Sequence, residues 1–172
     1  MKKKLFIVAI VCGLLAAHHS YTRQASADTD NPLIDFNGFV AEVKRVSVIR
    51  EARRVNVNRF LKMVKEPNTI ILDARSADKY AMKHLKGARH LSYTDFTEKS
   101  LAQAIPSKDA RILIYCNNNF RDNSEALGTK VAPAALNIST MVALSSYGYH
   151  NVYELGPALY ENDRRLTFET SL

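Results

Sequence analysis

Cys116 opens a short polar run, Asn117, Asn118, Asn119, Phe120 and Arg121. A thiol at the head of a loop closed by arginine is equipped for nucleophilic or carrier chemistry. Backbone N–H groups of a tight loop, with the N-terminus of a helix expected to begin around Asp122, can converge on one anion. Their field would lower the pKa of the thiol, and Arg121 would add a full positive charge. The three asparagines suit such a loop because Asn tolerates left-handed backbone geometry. The expectation is a Cys116 thiolate facing an anion-binding cup built from residues 117–121. A small hydrophobe at a strand end is the plainer use of the same cysteine.

The elements around this run must bring it to a working edge. Arg111-Ile112-Leu113-Ile114-Tyr115 is an apolar run of strand length, and Cys116 follows it at once. Thr69-Ile70-Ile71-Leu72 is a second such run, with Asp73-Ala74-Arg75 at its end. Short continuous apolar runs are characteristic of buried parallel strands. Val152-Tyr153-Glu154-Leu155 reads as a last strand, broken by Gly156-Pro157, and Ala88 to Leu91 as a short one. Helices are expected between them. Asn56 caps one, with Val55 and Phe60 as its hydrophobic staple. Ser76 to Lys83 and Phe96 to Ile105 are two more, and Pro133 to Ser146 a fourth. Strands alternating with helices predict an α/β fold with a central parallel sheet and helices on both faces. In such sheets ligands bind beyond the C-terminal strand ends, where Cys116 and Asp73/Arg75 both lie. Asp73 and Arg75 are expected to support the loop from beneath as an ion pair, and His84 to serve as a core or turn histidine.

The chain has 172 residues, which suits a single domain of roughly 100–200 residues. Met1 to Lys4 is basic, Leu5 to Ala17 is apolar, and Ala25-Ser26-Ala27 fits a small-x-small cleavage site. Residues 1–27 therefore read as a secretory signal peptide, with the remainder periplasmic or secreted and no stable membrane span after cleavage. Residues 28–54 read as a linker and N-terminal extension, 55–160 as the domain and 161–172 as a tail. The formal charge of +7 falls to +3 once Lys2, Lys3, Lys4 and Arg23 are removed. A mild excess of that size does not call for a nucleic-acid partner. Arg45, Arg50, Arg53 and Arg54 form a local basic stripe, read as a solvated helix face. Of the two cysteines, Cys12 lies in the apolar leader and Cys116 is the other. A lone thiol in an oxidising compartment is either buried or reactive.

Four stretches, in order, resemble the rhodanese family. They are Ile71-Leu72-Asp73-Ala74-Arg75 with Tyr80, His84-Leu85-Lys86-Gly87-Ala88 with Leu91, Ile112 to Cys116, and Tyr147 to Val152. The resemblance implies a rhodanese-like fold and a sulfurtransferase. Cys116 would take the outer sulfur of a donor such as thiosulfate and pass it to cyanide or a thiol. Asn117, Asn118, Asn119, Phe120 and Arg121 would bind the anionic donor, and Asp73 and Arg75 would support them. No metal and no organic cofactor is implied, and no protein partner is indicated. The run from Cys116 to Arg121 has the loop length that the family associates with sulfur transfer. Related phosphatases and arsenate reductases use one residue more. Asn119 stands where the family often has glycine, which would narrow the cup. Lys79 stands where some members place a cation near the anion. The stretch Thr129 to Ser139 looks long and is read as a lid or an interaction surface. A binding or regulatory module with weak turnover is the alternative, and a phosphatase or arsenate reductase, disfavoured by the short loop, is a third reading.

Overall fold

A computed structural model describes residues 31–171. The signal peptide expected over residues 1–27, and residues 28–30 of the extension, lie outside the described residues. Residues 31–39 belong to one unit and residues 40–171 to another. In the first unit Asn31 makes a turn, accepting from Leu33 N at 3.0 Å through its side chain. Asp35 then accepts from Gly38 N at 2.7 Å, filling a free amide at the start of helix α1 (Phe36–Arg53).

From Val40 onward the remaining elements alternate. They are β1 (Arg54–Val55), α2 (Val57–Val64), β2 (Thr69–Asp73), α3 (Ala77–Met82), β3 (His84–Leu85) and β4 (Arg89–His90). There follow α4 (Glu98–Ala104), β5 (Arg111–Tyr115), α5 (Leu136–Ser146), β6 (Val152–Leu155) and β7 (Phe168–Glu169). The sheet order is β1-β6-β5-β2-β4, and every neighbouring pair is parallel. The α/β expectation holds. Strand β5 is central, paired with β2 from Thr69↔Arg111 to Asp73↔Tyr115 and with β6 on its other side.

Local signals explain most boundaries. Asn56 caps α2 by accepting from Arg59 N. Thr97 and Ser100 form a capping box at the start of α4. Gly148, at φ 82°, turns the chain from α5 toward β6 in a conformation that residues with a Cβ rarely adopt. Apolar side chains fill both faces of the sheet. Leu72, Ile112, Ile114, Leu101 and Met141 are among those on one face. Phe60, Met63, Leu113, Tyr115 and Phe120 are among those on the other.

Four sequence readings change. No α-helix begins at Asp122: residues 122–135 form two short 3₁₀ turns, Glu125–Leu127 and Ala132–Ala134. Asn123 takes a left-handed φ of 52°, which interrupts helix propagation, and its side chain accepts from Thr129 N at 2.8 Å instead. The helix expected from Pro133 starts later, at Leu136. The tail is also part of the fold, because β7 pairs antiparallel with β3 and Leu166 is buried. The basic stripe is not simply solvated. Arg50 and Arg54 pair at 2.6 and 2.9 Å with Glu154, a buried carboxylate on β6. Arg53 lies 4.5 Å over the ring of Tyr153. A buried carboxylate needs such partners, since unpaired it would be costly. The C-terminal half of α1 is thereby tied to the sheet.

Candidate active site

Strand β5 ends at Tyr115, and Cys116 continues it in extended conformation (φ −149°, ψ −177°). The chain then closes at once into a 3₁₀ turn, Asn117–Asn119. That turn spends its own amides. Asn119 N donates to Cys116 O and Phe120 N to Asn117 O, both at 3.0 Å. Arg121 N donates to Leu159 O at 2.9 Å. The loop amides are therefore largely spent on carbonyls, and only part of the expected ring acts on the sulfur. The backbone N–H groups that act on Cys116 Sγ belong to Asn137, Asn118 and Leu136. Two of these three are in the first turn of α5, where unpaired donors and the positive end of the helix dipole favour negative charge.

Burial nevertheless wins. Cys116 is 1% exposed, and desolvation pushes its thiol above the ordinary range despite those amides, with buried Glu154 adding to the rise. The expected acidic thiol is thus reversed, and at neutral pH the group rests protonated.

The loop residues divide into separate roles. Asn119 is buried and works as a staple. Its Oδ1 accepts from Cys116 N at 2.9 Å and from Asn137 Nδ2 at 3.2 Å. Its Nδ2 donates to Leu155 O at 2.6 Å and to Pro157 O at 3.2 Å. One side chain thus joins the tips of β5 and β6 to the start of α5. Phe120 is in the core, edge-on to Tyr115 and Phe168, because an aromatic ring gains more from burial than from a polar cup. Arg121 is exposed, and its Nε donates to Ala158 O at 3.1 Å. Neither Phe120 nor Arg121 is brought to the sulfur.

Beneath the loop lies the expected ion pair. Asp73 and Arg75 are both buried, and Arg75 Nη2 meets Asp73 Oδ2 at 2.5 Å. The guanidinium also donates to Ala126 O at 3.0 Å and Lys83 O at 2.7 Å. Tyr115, the residue before the cysteine, donates its hydroxyl to Asp73 Oδ2 and accepts from Leu85 N at 3.0 Å. Burial and the Asp73 charge raise the Tyr115 pKa, so the phenol stays a donor. His84 is likewise a core residue, stacked on Tyr80 at 3.8 Å, with Nδ1 2.8 Å from Tyr80 O.

Above the loop runs a strap, residues 122–135. Asn118 clamps it in both directions, donating to Lys130 O at 2.7 Å and accepting from Lys130 N at 3.1 Å. Asn117 Nδ2 donates to Gly128 O at 2.7 Å, while Asn117 Oδ1 is buried without a partner. Beside the strap opens a cleft of about 420 Å³. It lies beyond the C-terminal ends of β2, β4 and β5, where ligands of such sheets bind. Asn117 and Leu136, the chain neighbours of Cys116 and Asn137, line it, as do Lys79 and Lys130. No local signal singled out Lys130 or the α5 amides. The one available signal was Pro133, a residue that favours the start of a helix. Among the described residues no group of three His, Cys, Asp or Glu could hold a metal ion, and no helix is long and apolar enough to cross a membrane.

The family model for the rhodanese-like domain matches residues 56–156. The chain belongs to the rhodanese-like domain family. Solved rhodanese-like folds agree with that membership. The BH2092 protein from Bacillus halodurans is 18% identical, with a TM-score of 0.53 over 77% of this chain and 87% of that one. The Alr3790 protein from Anabaena sp. is 20% identical, with a TM-score of 0.50 over 67% and 81%. EanB, in a complex with ergothioneine covalently linked with a persulfide, is 19% identical, with a TM-score of 0.50 over 68% of this chain and 28% of that one. No curated protein matches the chain. The rhodanese-like match takes in α2 through β6 and leaves α1, β1 and β7 outside it.

Proposed function

We propose that this rhodanese-like chain is a sulfurtransferase that carries a sulfane sulfur on Cys116. The observation that carries the reading is the setting of that thiol. It stands at the tip of the central strand, where the amides of Asn137, Asn118 and Leu136 pull its pKa down against burial, and next to a cleft with two lysines. In the forward step the Cys116 thiolate attacks the outer sulfur of a donor such as thiosulfate. A bond from Sγ to that sulfur forms as the donor S–S bond breaks, and sulfite leaves with the electron pair. A nucleophilic acceptor, cyanide or a thiol, then attacks the outer sulfur of the persulfide and returns Cys116 as thiolate. The α5 amides oppose the accumulation of protons on the sulfur and stabilise both anionic states. The route requires no metal or organic cofactor. The persulfide in the EanB structure supports the same chemistry on a similar fold.

The burial of Cys116 sets two conditions. The thiol must lose its proton, and the strap must yield before a donor reaches Sγ. A second reading, a rhodanese-like binding or regulatory module, is favoured by that same burial and by the outward turn of Arg121. Intact mass after incubation with thiosulfate separates the two. A gain of one sulfur atom, absent from Cys116→Ala, supports the carrier. Failure to gain it from several sulfane donors removes the sulfurtransferase reading. We also propose export, on the leader pattern of residues 1–27 alone. N-terminal sequencing of the processed protein tests it, with a start after Ala27 expected.

A further inference from the structure

We infer that Glu154 governs the reactivity of Cys116 from the neighbouring strand, its carboxylate opposing the thiolate, and that Arg50 and Arg54 of the N-terminal extension cancel that opposition. This rests on the sulfurtransferase reading and names what regulates its nucleophile.

Strand register puts the two groups together. Glu154 on β6 pairs with Ile114 on the central strand β5. Side chains alternate across a strand, so every second residue shares a face. Ile112 and Ile114 pack with Met141 and Leu144 of α5 on one face, and Cys116 is next in that row. The amides of Leu136 and Asn137 at the start of α5 act on its sulfur, which agrees with that side. On β6, Val152 packs on the same face and Leu155 on the other, so Glu154 shares the face of Val152. Carboxylate and thiol are thus on one face, one strand apart and one pleat along. Burial is the main cause that raises the thiol pKa, and the Glu154 charge adds to it.

The cancelling charges come from the extension. Glu154 is 2% exposed. Arg50 donates to its two oxygens at 2.6 and 3.2 Å, and Arg54 Nε lies 2.9 Å from Oε1. Burial pushes the Glu154 carboxyl up, and the two guanidiniums pull it back, which keeps it charged where a thiol titrates. Arg50 is on α1 and Arg54 on β1, in register with Glu154. Both precede residue 56, where the family match begins. Other charges are spent elsewhere. Asp73 and Arg75, under the loop, neutralise each other, and Arg45 on α1 is committed to Glu42 and Ser145. With both arginines in place the carboxylate is compensated. Loosening α1 from β6 leaves its charge to act on the sulfur and keeps the thiol protonated.

The test is the pH dependence of Cys116 alkylation by iodoacetamide in the full chain, read from the mass of the peptide that carries Cys116. The midpoint reports ionisation, whereas a looser fold changes the rate at every pH. Glu154→Gln keeps the size and removes the charge, and the midpoint should fall by about one pH unit. Arg50→Gln and Arg54→Gln each leave Glu154 charged with one partner, and each should raise the midpoint by a smaller amount. Arg45→Gln should match wild type. An unchanged midpoint in Glu154→Gln overturns the proposal. So does a fall in either Arg50→Gln or Arg54→Gln, or an equal rise in Arg45→Gln. If Glu154→Gln does not fold, the three arginine variants decide. Loading with thiosulfate, followed by intact mass, separates this from the sulfurtransferase reading. Where wild type gains sulfur, the pH of half-maximal loading should move in the same order, and loading that ignores the variants overturns the proposal. Where it gains none from any sulfane donor, the sulfurtransferase reading falls, and the alkylation midpoints still decide the role of Glu154.

Discussion

Cys116 lies between two regions of opposite construction. The floor is Asp73, Arg75, Tyr115 and Asn119, all buried. Their polar atoms are satisfied by short bonds to one another and to β3, β6 and α5. The roof is the strap at 122–135, pinned to the loop by three side-chain bonds from Asn117 and Asn118, with Val131 exposed above it. A bond of that kind contributes about 0.5–1.5 kcal/mol net; the first half of the strap is also held by Arg75 and Lys79, which donate to Ala126 O and Glu125 O, and by buried Leu127, so the stretch after Gly128 is the part more easily released than the floor. The contrast teaches that precision and access are assigned to different segments. The floor fixes where the sulfur is, and the roof is the segment whose release the alkylation rate of Cys116 would report. Segments that open locally are drawn from the regions with few buried contacts.

The comparison breaks first at the floor. Asp73→Ala leaves a buried guanidinium without its carboxylate, and breaking such a pair costs about 3–5 kcal/mol. Urea unfolding should show a loss of that size, and a loss below about 1 kcal/mol would mean that the pair is not the anchor. Asn119→Ala comes next. It strands the Leu155 carbonyl and the Cys116 amide, and about 1–3 kcal/mol should be lost by the same measurement. Glycine at that position, frequent in the family, does not restore those bonds, so Asn119→Gly should be no better than alanine.

At the roof the effect moves from stability to access. Asn118→Ala removes both halves of the clamp. It should cost about 1 kcal/mol or less, yet raise the rate at which iodoacetamide alkylates Cys116 by severalfold, read by peptide mass. An unchanged rate would show that the strap does not gate the thiol. The pH profile sharpens the point. Burial raises the thiol pKa, so the thiolate fraction is small at neutral pH, and alkylation should keep rising beyond about 8.5, the value of a free cysteine. A plateau by pH 7 would restore the acidic thiol. The smallest effect is expected from Arg121→Ala, an exposed site where stability should change by no more than about 0.5 kcal/mol.

The sequence was legible wherever a signal is local. The β5 and β6 ranges follow from apolar runs and their breakers, the Asn56 cap from its side chain, and the Asp73/Arg75 pair from its place at a strand end. It was illegible where the outcome depends on competing partners. Nothing local says that Asn119 would serve three elements at once, or that Phe120 would choose the core. The order of residues Cys116 to Arg121 suggested a cup closed by Arg121, but the turn spent two of its amides on its own carbonyls, and the arginine found Ala158.

By itself, then, the sequence determined the α/β order, the parallel sheet and the location of the one described thiol at a strand tip, because hydrophobic period and turn chemistry act over a few residues. The tertiary structure decided which amides meet that thiol, which lysines face the cleft and how deeply the sulfur is buried. Those depend on a strap and a helix that return from 12 to 21 residues further along the chain, and solvation and charge are properties of what packs around a group rather than of its neighbours in sequence.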